Sequence, residues 1–361
     1  MSERPVWRQE ASAAKERAGS RMVEPQAGPL SALTRVLMVG GLALFAILVW
    51  RVGPNLIGGM LLRVGWALPL VMVPHVLVTV LEALGWWLAF PQKGCPIRFS
   101  EILRFTVAAK AIQLVTPSIS QAGELVKMHL LRLSGVEADV SIVSVVAAKT
   151  TIAISELLFI GTGLTVVLSY LAIEPLLATS VGIGILLMGL LVAGVLVWQR
   201  IGFFRPLVWV SRRFRVLTKF VDRHEGFLVS TDGMLKEYLR ERKRFGLSCL
   251  GYFLGWVAGA LETWVFLGFL GLPHDLLSAL VVQVLLAIVT RLTAFVPANL
   301  GTHEAGAVMI FSFLGLAPEE AIAFALLRRV RQIGWSAAGL GILAKCIGIP
   351  KHFWRERPRE R

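Results

Sequence analysis

The chain has 361 residues, of which 56% are hydrophobic, and a mean hydropathy of +0.70. That lies above the roughly 45–50% apolar content of a soluble domain and excludes an ordinary water-soluble globule. The formal charge of +14 does not point to nucleic acid, because the basic residues gather in the stretches between apolar runs, where they act as topogenic charge.

In chain order, residues 1–34 form a polar, basic tail that does not read as a cleavable signal peptide. Apolar runs follow at 36–50, 66–90, 139–170, 175–198, 245–270 and 317–348. Most approach or exceed the roughly 20 residues that cross a bilayer as a helix. An amphipathic stretch at 53–63 falls between the first two. Residues 199–245 carry twelve Lys/Arg against five Asp/Glu, and the tail 349–361 is also basic. Basic loops stay cytoplasmic, so both termini and the 199–245 loop are expected on that side of a bacterial inner membrane. Within the loop, 206–221 interleaves Arg212, Arg213, Arg215 and Lys219 with Trp209, Phe214 and Phe220, a pattern suited to an interfacial helix. Trp66, Trp86 and Trp87 fit an aromatic belt. The three cysteines and six histidines form no metal-ligand or redox spacing, and no cofactor is expected.

Two segments break the pattern. Residues 101–134 must start and end on one side, and the arm 101–115 is short for a roughly 30 Å hydrocarbon core. The second arm carries Glu124, Lys127, His129 and Arg132, and a Thr-Pro-Ser turn around Pro117 joins the arms. The expectation is a re-entrant helical hairpin, tolerated only when buried in protein or lining a wet cavity. Residues 276–313 are expected to form a second hairpin around Pro297, although 276–296 alone is long enough to span.

A shift of 180 residues superimposes the unusual positions. Glu82 falls on Glu262, Pro117 on Pro297, Glu124 on Glu304, Gly135 on Gly315, Asp139 on Glu319, and Lys149 on Arg329. Lys110 and Arg291 sit one residue out of this register. An odd number of crossings separates equivalent points, so the two copies are expected to be inverted. The fold class is therefore an all-α polytopic membrane protein, an inverted repeat with two opposed re-entrant hairpins. Its domain spans 35–348, with repeat one at 66–170 and repeat two at 246–348. In such plans the site lies near the midplane at the repeat interface.

The candidate site follows from the cost of charge in a bilayer. Lys149 and Arg329 lie at matching depth, Arg328 and Arg331 share the latter's turn, and Lys110 and Arg291 lie on the first arms. Together they suggest a cationic chamber for an anionic headgroup. Glu124 and Glu304, seven residues after each hairpin proline, neutralise Lys149 and Arg329, or hold the cations in place, compete with the headgroup or carry a coupling proton; the two readings can hold together. Glu82, Glu262 and Glu156 read as secondary buried acids. His303, Asn299, Ser120 and Gln121 flank the tips, where satisfying bare backbone is the expected role.

The segments T-P-S-I-S-Q-A-G-E-L-V-K (116–127), F-V-P-A-N-L-G-T-H-E-A-G (295–306) and F-L-G-L-A-P-E-E-A-I-A-F-A-L-L-R-R (313–329) resemble the flippase-like family. That family includes the transmembrane part of lysylphosphatidylglycerol synthases and relatives associated with hopanoid and polyisoprenoid lipids. The chain has Ala122-Gly123 where the family often has two glycines, and Ala148-Lys149 where relatives often have Glu-Arg. The resemblance, over about residues 30–348, implies lipid translocation, with an anionic phospholipid or isoprenoid-type lipid as partner. A soluble aminoacyl-transferase domain does not follow within the 361 residues, so synthase activity is not expected. A membrane-embedded lipid-modifying enzyme, or a scaffold docking lipid-synthesis enzymes on the 199–245 loop, are the alternatives.

Overall fold

A computed structural model describes residue 50 and residues 65–91, 97–115, 122–170, 175–201, 218–273 and 275–348; these are almost wholly helical, without strands. A 3-10 turn at Gly65–Met72 leads into α1 (Pro74–Leu88). It is followed by α2 (Phe99–Val115), α3 (Ala122–Leu133), α4 (Ala138–Tyr170) and α5 (Pro175–Ile201). The chain continues through α6 (Thr218–Arg240), α7 (Arg242–Phe269), α8 (Leu276–Leu292), a 3-10 turn (Pro297–Asn299), α9 (Thr302–Phe313) and α10 (Pro318–Gly348). Three spans, Leu70–Leu88, Ala138–Leu168 and Arg242–Phe269, are long and apolar enough to cross a membrane. The expected segment 36–50, apart from Trp50, and the stretches 53–63, 116–121 and 202–217 lie outside the described residues.

The 180-residue offset carries into element boundaries. Helices α3 and α9 each have 12 residues and begin 180 residues apart, as do α4 and α10. Helices α2 and α8 both have 17 residues. That length is about 25 Å at 1.5 Å per residue, so neither alone matches a roughly 30 Å core. The boundary after the short helix is built twice from the same hydrogen bonds. Gly135 (φ 87°) donates to Arg132 O and Val136 N to Leu131 O; Gly315 (φ 75°) donates to Ser312 O and Leu316 N to Phe311 O. Each is a Schellman cap, which needs a left-handed residue and so selects glycine at both positions.

Packing ties the two halves together. Helix α1 lies against α7, α2 against α10, and α8 against α4, while α2 packs on α3 and α8 on α9. One apolar cluster joins Trp86, Ile102, Phe105, Leu131 and Val143, and a second joins Phe266, Leu286, Phe311 and Phe324. A third, where Phe159 stacks on Trp256 at 5.7 Å, bridges α4 to α7 and α8. Asp275 caps α8 by accepting from Ser278 N at 2.9 Å, which holds its carboxyl below the usual range. That cap is complete above the carboxyl's ordinary pKa and is lost as the pH falls through the depressed one.

Two readings of the sequence change. Part of the 199–245 stretch is a 23-residue helix, α6, that packs against α4, α5 and α7. Its residues Leu228, Thr231, Leu235, Tyr238 and Leu239 recur at helical spacing and are buried, and Ser230 Oγ donates to Asp139 Oδ2 at 3.1 Å. Trp86 is no belt residue: at 1% exposure it lies in the core beside Phe90, while its neighbour Trp87 is exposed.

Helices α1 and α7 approach at backbone distance. A Cβ on Gly251 would stand 3.2 Å from Gly85 Cα, and one on Gly85 would lie 2.7 Å from the Tyr252 ring. Ser248 Oγ donates to Gly85 O there at 2.7 Å. Small residues let membrane helices meet at backbone distance. Gly85→Val is therefore expected to cost about 1–3 kcal/mol by overpacking. It should lower the melting temperature of the detergent-purified protein by several degrees. Gly182→Val on α5, where an added Cβ meets nothing within 4 Å, should leave it unchanged.

Candidate functional site

Seven helices enclose a cavity of about 330 Å³ between the two halves. Its wall carries six cations, Lys110, Lys127, Lys149, Arg291, Arg328 and Arg331, and three carboxylates, Glu82, Glu124 and Glu262. Two adjoining cavities of about 290 and 200 Å³ share parts of this wall and meet at Ala298 and Asn299 of the second turn. Helix α2 delivers Lys110, α3 delivers Glu124 and Lys127, α4 Lys149, α8 Arg291, and α10 both Arg328 and Arg331.

Each charge buried in such a place needs a partner. Glu124 takes two: Lys149 Nζ at 2.9 Å and Lys127 Nζ at 3.3 Å. Lys127 also lies 4.9 Å from the centre of the Trp86 ring, a cation–π contact. Gly123 makes this corner possible, since a Cβ there would meet the Ala109 carbonyl at 2.9 Å. Lys110 pairs with Glu82, and Arg291 crosses from α8 to Glu156 on α4. Arg331 pairs with Glu262 at 2.5 Å, and His75 Nδ1 sits 2.9 Å from the guanidinium and 3.2 Å from the carboxylate. The imidazole accepts from the first or donates to the second, according to its tautomer. Arg328 differs from all of these. Among the described residues it has no carboxylate within 4 Å, only Gln283 Oε1 at 3.4 Å and the Phe324 ring.

The second turn is built by Arg329. Ala298 (φ 53°) and Asn299 (φ 48°) both occupy the left-handed region, costing of order 1–3 kcal/mol each for residues that carry a Cβ. Arg329 Nη1 donates to Ala298 O and Nη2 to Asn299 O, both at 3.1 Å. Its Nε donates to Glu304 Oε1 at 2.7 Å and Nη1 also reaches Gln332. Glu304 is fully buried in the first turn of α9, where a carboxylate suits the positive end of the helix dipole. Asn299 Oδ1 accepts from Thr293 Oγ1 at 2.9 Å, so this tip residue does satisfy local polar groups.

The 180-residue pairs thus bring Glu124 to Lys149 and Glu304 to Arg329, but with unequal surroundings. Lys149 is 43% exposed and faces the large cavity. Arg329 is 15% exposed, commits two donor contacts to the second turn and one each to Glu304 and Gln332, and borders only the smallest of the three cavities. Pro117, Ser120 and Gln121 lie outside the described residues; Pro297 opens the second turn, and His303 lines the smallest cavity. Sequence reasoning named Lys127, His75 and Gln283 nowhere as wall residues and left Arg331 as a neighbour. Glu124 and Lys127, one helical turn apart, carried the signal for the first. His75 stands alone beside a proline in an apolar run and carried none.

The fold and the charged interior define an all-helical membrane protein with a polar chamber between its two halves. The chain belongs to the family described as the lysylphosphatidylglycerol synthase TM region, whose pattern matches residues 36–341. It is thereby a membrane protein related to lipid synthesis or transport. No curated protein and no solved structure matches it.

Removing Glu304 leaves Arg329 buried and uncompensated, so Glu304→Gln is expected to cost about 3–5 kcal/mol. Lys149→Gln should cost no more than about 1 kcal/mol, because Lys149 is half-exposed and Glu124 keeps Lys127. Arg329→Lys, which retains charge but loses the fork to both carbonyls, should fall between them. Thermal unfolding of the three purified variants in one detergent gives the order directly.

Proposed function

We propose that the protein moves a lipid with an anionic headgroup between the leaflets of a bacterial inner membrane. The observation that carries this reading is the cavity wall, on which six cations outnumber three carboxylates inside an otherwise apolar helical body. Charge at that depth is expensive and belongs to a ligand path far more often than to a lipid-facing surface. The chamber, at about 330 Å³, suits a headgroup and leaves the acyl chains to the surrounding apolar surface.

In this reading α2–α3 and α8–α9 are re-entrant hairpins from opposite faces, and the halves are inverted copies with both chain ends cytoplasmic. Equal helix lengths at a constant offset and twin glycine caps support it, as does the reciprocal packing of α2 on α10 and α8 on α4. Rocking of one half on the other would expose the chamber first to one leaflet and then to the other. Glu124 is the internal competitor: while the site is empty it neutralises Lys127 and Lys149, and an arriving phosphate displaces it.

The test is leaflet exchange in proteoliposomes containing trace fluorescent phosphatidylglycerol, followed by quenching from outside. Exchange above protein-free vesicles is expected, and Lys149→Gln should slow it about tenfold, a loss of ~1.4 kcal/mol in the transition state. Exchange no faster than in empty vesicles for anionic, zwitterionic and isoprenoid lipids alike would sink the proposal. A change in the mass of the lipid would assign the chamber to an enzyme instead.

A further inference from the structure

We infer that the ligand of the chamber carries two negative charges on phosphate, as a phosphomonoester or diphosphate does, rather than the single charge of a phosphodiester. The inference rests on the headgroup reading above and specifies its chemistry.

The first observation is a charge balance. Among the described residues, seven cations and five carboxylates take part in the interior ion pairs or stand beside them: Arg329 and the six on the cavity wall, against Glu82, Glu124, Glu156, Glu262 and Glu304. Two positive charges are left over, and they have definite places. One arises at Glu124, a single carboxylate shared by Lys127 and Lys149. The other is Arg328, which faces the same cavity and, among the described residues, has no carboxylate within 4 Å, touching a neutral amide and an aromatic ring. The segment 116–121, Thr-Pro-Ser-Ile-Ser-Gln, contains no ionisable side chain. An interior of low dielectric is most stable when charge within it cancels. A monoanion leaves one cation unmatched; a dianion matches both.

The second observation is independent of formal charge. Three donors on residues of the cavity wall, Arg331 Nε, the Tyr252 hydroxyl and Trp86 Nε1, are buried without a hydrogen-bond partner, their residues 6%, 4% and 1% exposed. Leaving such groups unmet is costly. A phosphoryl group with three terminal oxygens offers acceptors in several directions at once, which a phosphodiester with two does not. Arg328 and Arg331 lie on successive positions of one face of α10, so a phosphoryl group bound to the first is within the same wall as the unmet donor of the second. Tyr252, on α7, stands on the side that also carries Glu262.

The experiment compares phosphatidic acid with phosphatidylglycerol of identical acyl chains, bound to the full-length protein in an uncharged detergent at pH 8. There the phosphomonoester is close to fully doubly charged, its second pKa lying near ~6. At least tenfold tighter binding of phosphatidic acid is expected. The preference should shrink severalfold at pH 5.5, fall to about twofold or less in Arg328→Gln and in Lys149→Gln, and largely survive in Arg328→Lys. Inorganic diphosphate then identifies the source: displacement of labelled phosphatidic acid at sub-millimolar diphosphate makes a soluble phosphate the ligand, and failure to displace makes it a lipid headgroup.

Equal binding of the two lipids by the unaltered protein overturns the inference without recourse to any variant. So does a preference that persists when both Arg328 and Lys149 are neutralised. The two proposals fail separately. Leaflet exchange indifferent to the number of headgroup charges would remove this inference and leave translocation standing. Selective binding of the dianion without exchange would do the opposite.

Discussion

Transferring an ammonium or guanidinium group out of water costs several kcal/mol even after relaxation, and among the described residues this protein gathers seven such groups, exposed to different degrees, between its two halves. Much of its architecture answers that cost. Carboxylates appear where cations do, on the facing helix: Glu124 on α3 for Lys149 on α4, Glu156 on α4 for Arg291 on α8, Glu262 on α7 for Arg331 on α10. Glu156–Arg291 ties one half to the other, while Glu124–Lys149 and Glu262–Arg331 each brace helices within a half. The polar chamber is therefore both a place of possible chemistry and a principal brace.

The two short-helix corners use the same parts for different ends. At the second, Arg329 is spent on the backbone of Ala298 and Asn299 and on a fully buried Glu304. At the first, a lysine stands in the equivalent position, and lysine lacks the planar fork needed to hold two carbonyls. Lys149 is accordingly free to face the cavity, with Glu124 divided between it and Lys127. A pair of matched positions has separated into a rigid corner and a responsive one, and the Lys/Arg difference is the physical reason.

How far the sequence carried the reading can be judged residue by residue. The charged pairs were legible because acidic residues are rare in apolar runs, so Glu124 and Glu304 at one offset from Lys149 and Arg329 stood out. The glycine caps at 135 and 315 were legible for the same reason of spacing, though not their hydrogen bonds. The role of α6 was hidden: its charge suggested a solvated loop, and the burial of Leu235 and Tyr238 depends on helix α4, far away in sequence, and on how the following helix α7 packs against it. Trp86 was misjudged because an aromatic near the end of an apolar run looks interfacial, whereas α3 covers it with Lys127. Which acid meets which cation across the chamber, as in Glu156 with Arg291, is a property of three-dimensional packing that no periodicity encodes.

The glycine crossing of α1 and α7 has a mechanical side. Helices usually lock by seating the side chains of one in the grooves of the other, and sliding then requires many side chains to unseat together. Where Gly85 meets Gly251 there is less to unseat: the two backbones touch, the Tyr252 ring lies over Gly85, and one serine hydroxyl is a tether. A contact of that kind resists separation but offers little resistance to a small turn about the point of touch. The glycine crossing is thus a close contact with little interlock, the kind of joint that the proposed rocking of the halves would need.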